Sequence, residues 1–290
     1  MRLTPEASQV VARIVKVAAG IAEDRKILGL LLDETASFFS CDRGAIFTYS
    51  RGRATLLMVR SLRPPKAWDP ETLLSFFRNE KPLLPSEIIM APVRAGNEVI
   101  GVLALEKVEG FDPGAGKVAT EMLRIVGTGL GERRRRKALE IACGAGGALA
   151  RGLRPKDVIY RILHGARRLI DYDHSATVYA RVDDCAAEVV AEQVAWAAGK
   201  GSLVGKTIGL DWKADSSAIW EAVRGVREEG APDKQSGLLV PLAGARGTIG
   251  LLEIASAQPE FFRASDLQAA RILAPYLVLC LAGIDCSDRR

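Results

Sequence analysis

The stretch APVRAGNEVIGVLALEK at residues 91–107 has a counterpart, VPLAGARGTIGLLEIAS, at residues 240–256, an offset of 149. Each is an apolar strand with Pro as its second residue, a turn containing Gly, and a second strand built on Ile-Gly. That pattern is a β-hairpin. Working outward, LLDETASFFSCDRGAIFTY at 31–49 matches ILHGARRLIDYDHSATVYA at 162–180, an offset of 131. Both are a helical pattern, then x-Asp, then an alternating strand. Beyond the hairpins, Phe111, Ala115 and Ala119 match Phe262, Asp266 and Ala270 at an offset of 151. Three blocks recur in one order, so a whole domain is repeated.

Each copy reads helix, helix, two strands, a variable middle, a two-stranded hairpin and a closing helix. Neighbouring strands joined by short turns pair antiparallel, and the helices must cover a sheet face, so the fold class is α+β with a central antiparallel sheet. The offset rises from 131 to 149, which puts 18 more residues into the middle of the second copy. In its first strand Ala176, Val178 and Ala180 are expected to face the helices, aligned with Ala45, Phe47 and Tyr49 in the first copy. Thr177 and Tyr179 then face the middle segment.

The hairpins on Ile100-Gly101 and Ile249-Gly250, the Asp42-Arg43 and Asp173-His174 pairs, and the Phe before each closing helix together resemble the GAF domain. The resemblance occurs twice and covers nearly all of residues 25–285. It implies two GAF domains, PAS-like in architecture, joined by a long helix, that act as sensory or regulatory modules and commonly as dimers. Such domains enclose a small ligand between a sheet face and the variable middle, or hold none. The division expected is a helix over 1–24, a first domain over 25–132, a linker helix over 133–152 and a second domain over 153–290.

Val10, Ile14, Val17, Ile21 and Leu28 recur at helical spacing, and this stripe is expected to serve as a dimer seam. The alternative is that it packs on its own sheet. From Gly114 to Arg151 there is no Pro, so one helix of roughly 55 Å can join the domains. Gly152 and Pro155 end it. Gly127-Thr128-Gly129-Leu130-Gly131 lies inside this helical pattern and does not follow a strand, so it is read as close helix packing or a bend and not as a phosphate loop.

The chain of 290 residues is 48% hydrophobic and 26% charged, enough for two cores. Its net charge of +5 is local and not global, with 17 basic against 16 acidic groups up to residue 132 and 23 against 19 after it. The run Arg133 to Lys137 holds most of the excess and reads as a solvated helix face, so nucleic acid is not an expected partner. The apolar stretch from Ile272 to Ile284 contains Pro275 and is read as too short for a membrane span. With no signal pattern at the N-terminus, a cytoplasmic location is expected.

Five cysteines, two histidines and no C-x-x-C pair exclude a disulfide framework and disfavour a zinc site. Cys41 and Cys280 read as small core residues, and Cys185 as part of an exposed turn. Bilin attachment would need His after that cysteine, where Ala186 stands. The cyclic-nucleotide GAF pattern is broken in both copies, at Ala115 in one and at Ala255-Ser256 in the other. His164 reads as a solvated helix residue and His174 as a local hydrogen-bonder. No catalytic constellation is visible, so a non-catalytic module is expected, with no cofactor identified. An enzyme resembling the free-methionine sulfoxide reductases and a ligand-free dimeric scaffold are the alternatives.

Three of four Trp, namely Trp196, Trp212 and Trp220, fall in the second copy, beside Tyr179. Aromatic walls with a few polar groups suit a small organic ligand. The expected ligand residues are Thr177, Tyr179, Trp196, Trp212 and Trp220. A helix-like Ser216 to Val223 is expected in the roof, with the first domain acting as a relay. The partners expected are a second copy of the chain and a separate effector protein.

Overall fold

The computed structural model describes residues 3–20, 24–50, 53–59, 72–73, 75, 84–95, 98–170, 172–183, 185–194, 203–209, 218–220, 235–245, 247–258 and 261–287. The chain divides into two compact units, Met1–Arg133 and Arg134–Arg290.

In the first unit, α1 (Pro5–Gly20) and α2 (Asp24–Phe38) precede β1 (Arg43–Ser50), β2 (Arg53–Val59), β3 (Ile88–Ala95) and β4 (Glu98–Glu106). Thr4 caps α1 by accepting the amide of Ala7 at 3.2 Å, with Pro5 at the first helical position. The sheet order is β2-β1-β4-β3, antiparallel throughout. The helix α3 (Ala115–Ala150) begins in this unit and runs unbroken for 36 residues into the second. It ends in a Schellman motif: Gly152 has a φ of +79° and donates to the carbonyl of Leu149, while Leu153 donates to that of Ala148.

In the second unit, α4 (Pro155–Ile170) is followed by β5 (Ser175–Arg181), β6 (Ala186–Val194), β7 (Thr207–Gly209), β8 (Ala218–Trp220), β9 (Ser236–Gly244), β10 (Gly247–Ser256) and α5 (Ala264–Ser287). The sheet order is β7-β6-β5-β10-β9-β8, again antiparallel. Both units are therefore α+β and carry the expected hairpin, β3-β4 at one edge of the first sheet and β9-β10 inside the second. The two Asp residues of the repeat do the same work. Asp42 accepts the amide of Val108 at 2.8 Å and Asp173 that of Ala257 at 3.1 Å, each fastening the chain just past the last strand.

Four expectations are corrected. Ile14, proposed for the dimer seam, is fully buried in the core of its own unit among Ile27, Leu31, Leu103 and Leu123. Val10 packs beside it, and α1 belongs to the first unit, with Ala7 and Val11 against Met122. Val17 is exposed, while Ile21 lies outside the described residues. Second, the segment expected as a helix at Ser216–Val223 contains a strand, Ala218–Trp220, because its backbone pairs with Leu239 to Gly237 at the sheet edge. Third, α5 forms a window, Ala264–Ile284, that is long and apolar enough to cross a membrane by length and composition. Of that window, 39% is buried inside the protein, where Leu273, Leu277 and Cys280 join the core. Pro275 does not shorten it, since the helix passes through that residue.

The fourth correction concerns strand faces. Ala176 and Val178 do face the helical core. Ala45 and Phe47 do not: they lie on the other face of their sheet with Met90, Val102 and Ala104, while Ile46 faces the helices. Register explains this. Phe47 sits opposite Val102 and Tyr179 opposite Leu251, and both partners follow the Gly of the Ile-Gly step. Phe47 thus corresponds to Tyr179, an offset of 132 and not 131, so the second copy carries one more residue between Asp173 and the strand. A slip of one residue exchanges the faces of a strand. The side chain of Tyr49 lies outside the described residues.

Gly127 is placed for close packing. A Cβ there would lie 2.0 Å from the carbonyl oxygen of Arg94, so no larger residue fits between α3 and β3. The close packing expected of the glycine run is thus met at Gly127, while a Cβ at Gly129 would meet nothing within 4 Å.

Candidate functional site

In each unit one sheet face carries the helices and the other carries a smaller core. In the first unit the apolar groups of that second face are Ala45, Phe47, Met90, Val99, Val102 and Ala104, with the Arg43–Glu106 ion pair at the end of the same rows. In the second it holds Tyr179, Ala187, Val189 and Leu251, overlaid by Leu203, Val204 and Ile208. Among these apolar groups it also buries three polar side chains, at positions where the first unit has Ala45, Phe47 and Ala104.

Thr177 and Tyr179 point to this face because they alternate with Ala176 and Val178 along β5. Glu253 joins them from β10, directly opposite Thr177. Its exposure is 7%, against 5% for Tyr179 and 2% for Thr177. The Tyr179 hydroxyl donates to Glu253 Oε2 at 2.5 Å, a charge-assisted bond. Burial, followed by the nearby carboxylate, pushes the Tyr179 phenol far above its ordinary range, so it keeps its proton and remains a donor. Thr177 also bonds to the Tyr179 side chain.

Across the sheet Thr177 is flanked on its other side by Glu192 of β6. Glu192 is half-buried and its Oε2 accepts the amide of Leu203 at 3.4 Å. One row of three neighbouring strands therefore reads Glu192, Thr177, Glu253, with the Tyr179 phenol beside it.

The structure brings together two of the five expected ligand residues, Thr177 and Tyr179. Trp196 and Trp212 lie outside the described residues, and only the backbone of Trp220, in β8, is described. Sequence reasoning missed Glu253 and Glu192. The signal for Glu253 was present, since alternation along GTIGLLEIAS puts this one charge on the face of Leu251, inside an otherwise apolar run.

The remaining candidates are placed as follows. Cys185 is exposed in the turn between β5 and β6, its amide donating to Asp183 at 2.8 Å, and Cys143 is exposed on α3. Cys280 is buried, and desolvation pushes its thiol up to about 11. His174 is buried and its Nδ1 bonds the hydroxyl of Ser175 at 2.9 Å, the local role expected. His164 is exposed and its Nδ1 meets Gln193 Nε2 at 2.7 Å, while the amide oxygen of Gln193 accepts from Tyr172 at 2.6 Å. Among the described residues no group of three or more His, Cys, Asp or Glu is placed to hold a metal. Arg134 of α3 forms an ion pair with Asp266, donates to Ser265 Oγ at 2.9 Å and to the carbonyl of Leu169 at 2.6 Å, tying together three helices of the second unit.

No family model and no curated protein matches the chain. Among solved structures, it is similar to the phycoerythrobilin-bound GAF domain of a cyanobacterial phytochrome, at 14% identity and a TM-score of 0.43, over 53% of this chain and 99% of that one. The GAF domain of a phosphoenolpyruvate-protein phosphotransferase from Coxiella burnetii is similar at 15% identity and 0.44, over 53% and 98%. That of a putative sensor histidine kinase from Pseudomonas syringae is similar at 19% and 0.40, over 55% and 94%.

Proposed function

We propose that the chain is a non-catalytic signalling module of two GAF-type units, in which the second unit binds a small molecule on its helix-free sheet face and the first acts as a relay. The observation that carries this reading is the contrast between the two faces. At the corresponding positions the first unit has Ala45, Phe47 and Ala104, so the fold does not require polar groups at those three places. The second buries Thr177, Tyr179 and Glu253 at corresponding positions. Burying a carboxylate costs free energy unless hydrogen bonds offset it. Convergent polar groups on an apolar face are what a small-ligand site needs.

The resemblance seen in the repeated hairpins and Asp residues supports the sensory role. Relay to a second copy of the chain and to a separate effector protein belongs to the same proposal. The test is a thermal-shift screen of a metabolite library followed by titration of the hits. A hit should bind the unmodified protein and lose at least tenfold in affinity in Tyr179→Ala, while Phe47→Ala leaves affinity within threefold. Loss in Phe47→Ala with no loss in Tyr179→Ala would place the ligand in the wrong unit and end this reading.

A further inference from the structure

The apolar cover over the helix-free face of the second unit is a strap, residues 203–209, whose side chains Leu203, Val204 and Ile208 pack against the cluster of Tyr179, Ala187, Val189 and Leu251. It is attached by short-range bonds to one strand. Leu203 to Lys206 form a type II turn, in which Lys206 donates to the carbonyl of Leu203 at 2.9 Å and Gly205 has a φ of +84°. Gly205 then donates to the carbonyl of Val189 at 2.8 Å, and Val189 donates to that of Lys206 at 3.0 Å. The strand β7 follows and pairs with Ala186, Ala187 and Glu188. At the start of the strap the Leu203 amide donates to Glu192 at 3.4 Å, a long and therefore weak bond.

Strap and sheet differ in how deeply they are held. No residue from Leu203 to Gly209 is buried, and Gly205, Lys206, Thr207 and Gly209 are exposed, whereas Ala187 and Val189 beneath are fully buried. A segment with few buried contacts and solvent-exposed backbone bonds opens locally at far lower cost than the element it lies on. On the corresponding face of the first unit Leu73 is itself buried and belongs to the core. We propose that residues 203–209 are a gate: the strap lifts as one unit while the rest of the sheet stays folded, and this opening admits a small molecule to Thr177, Tyr179 and Glu253. Glu192 is its latch. The gate rests on the reading that the helix-free face of the second unit is where a small molecule binds.

The test uses the full chain and two readouts that need no ligand. The Val189 amide belongs to a fully buried residue yet bonds to the strap, so its hydrogen exchange reports strap opening. Leu252 and Val178 pair with each other inside the sheet and report unfolding of the unit. The amides of Val189 and Gly205 should exchange together, at least about a hundredfold faster than those of Leu252 and Val178. Glu192→Ala should speed the first pair at least threefold and leave the second unchanged. For access, Glu188→Cys and Thr207→Cys, directly opposite each other, supply a disulfide tether between β6 and β7. This tether is placed in a chain that carries Thr177→Cys, with Cys143 and Cys185 replaced by Ser. Iodoacetamide should alkylate position 177, read by peptide mass, at least tenfold more slowly with the tether closed, and reduction of the tether should restore the rate.

Val189 and Gly205 amides as slow as that of Leu252, or equal alkylation of position 177 with the tether open and closed, would each overturn the gate. Unchanged strap exchange in Glu192→Ala would remove Glu192 as its latch. Exchange in the unmodified protein decides whether the strap opens even where the tethered chain fails to fold. If a thermal-shift hit binds this face at the same association rate with the tether open and closed, the binding reading stands and the gate falls. A strap that opens over a face no hit binds would overturn the binding reading and, with it, the role of the gate.

Discussion

Phe47 and Tyr179 hold the same position in the two copies of one fold, each paired across the sheet with the residue that follows the Gly of an Ile-Gly step. The two side chains differ by one hydroxyl. In the second unit it meets Glu253, and in the first the corresponding neighbour is Ala104.

Exchanging this hydroxyl should destabilise in both directions. Tyr179→Phe removes a buried donor to a carboxylate, and Phe47→Tyr buries a hydroxyl on an apolar face. Each is expected to cost about 1–3 kcal/mol. Urea unfolding of the two variants checks this, and a neutral Tyr179→Phe would show that the bond contributes nothing to folding.

Much of this was legible in the chain. The hairpins on Ile100-Gly101 and Ile249-Gly250 disclosed the repeat, and period-two alternation placed Thr177 and Tyr179 away from the helices. The face of Ala45 and Phe47 was not legible, because the extra residue after Asp173 lies in a short connection whose length leaves no mark on composition or periodicity. Glu253 is marked by strand alternation alone and not by the aromatic pattern, because it stands as a single charge in an otherwise apolar run. The strand at Ala218–Trp220 was hidden for another reason: an edge strand of this length is specified by its partner β9, not by its own three residues.

Ile14→Asp should unfold the first unit instead of splitting a dimer. Ile14 is fully buried, and a charge there has no water to stabilise it. A loss of more than about 3 kcal/mol is expected. Val17→Asp, at an exposed position on the same helix, is expected to leave folding intact, which urea unfolding of the two variants checks. A folded Ile14→Asp monomer would restore the seam first read from the heptad.

Two glycines of α3 should respond oppositely to the same change. Gly127→Ala drives a Cβ into the carbonyl of Arg94 and is expected to lower the melting temperature by several degrees. Gly129 has open space around it, so Gly129→Ala should stabilise by about 0.5–1 kcal/mol through helix propensity. Calorimetry on both variants separates packing from propensity.

Cysteine labelling and pH should report the burial of Cys280. Cys143 and Cys185 are exposed and are expected to react first with a thiol reagent, and Cys280 only on unfolding. Its thiol rises from an ordinary 9.0 to about 11 in the folded chain. The unfolded chain therefore releases this proton first, so the contribution is fully present below pH 9 and fades as pH climbs towards 11. Cys280→Ala should flatten stability over that window.

A crystal structure of the chain with its strongest thermal-shift hit tests most directly whether the second unit binds a small molecule through Thr177, Tyr179 and Glu253. Ligand density is expected against these three side chains, with none on the first-unit face of Phe47, Val102 and Ala104. Density on that first face, or a second-unit face closed by its own side chains while the hit sits elsewhere, would contradict it.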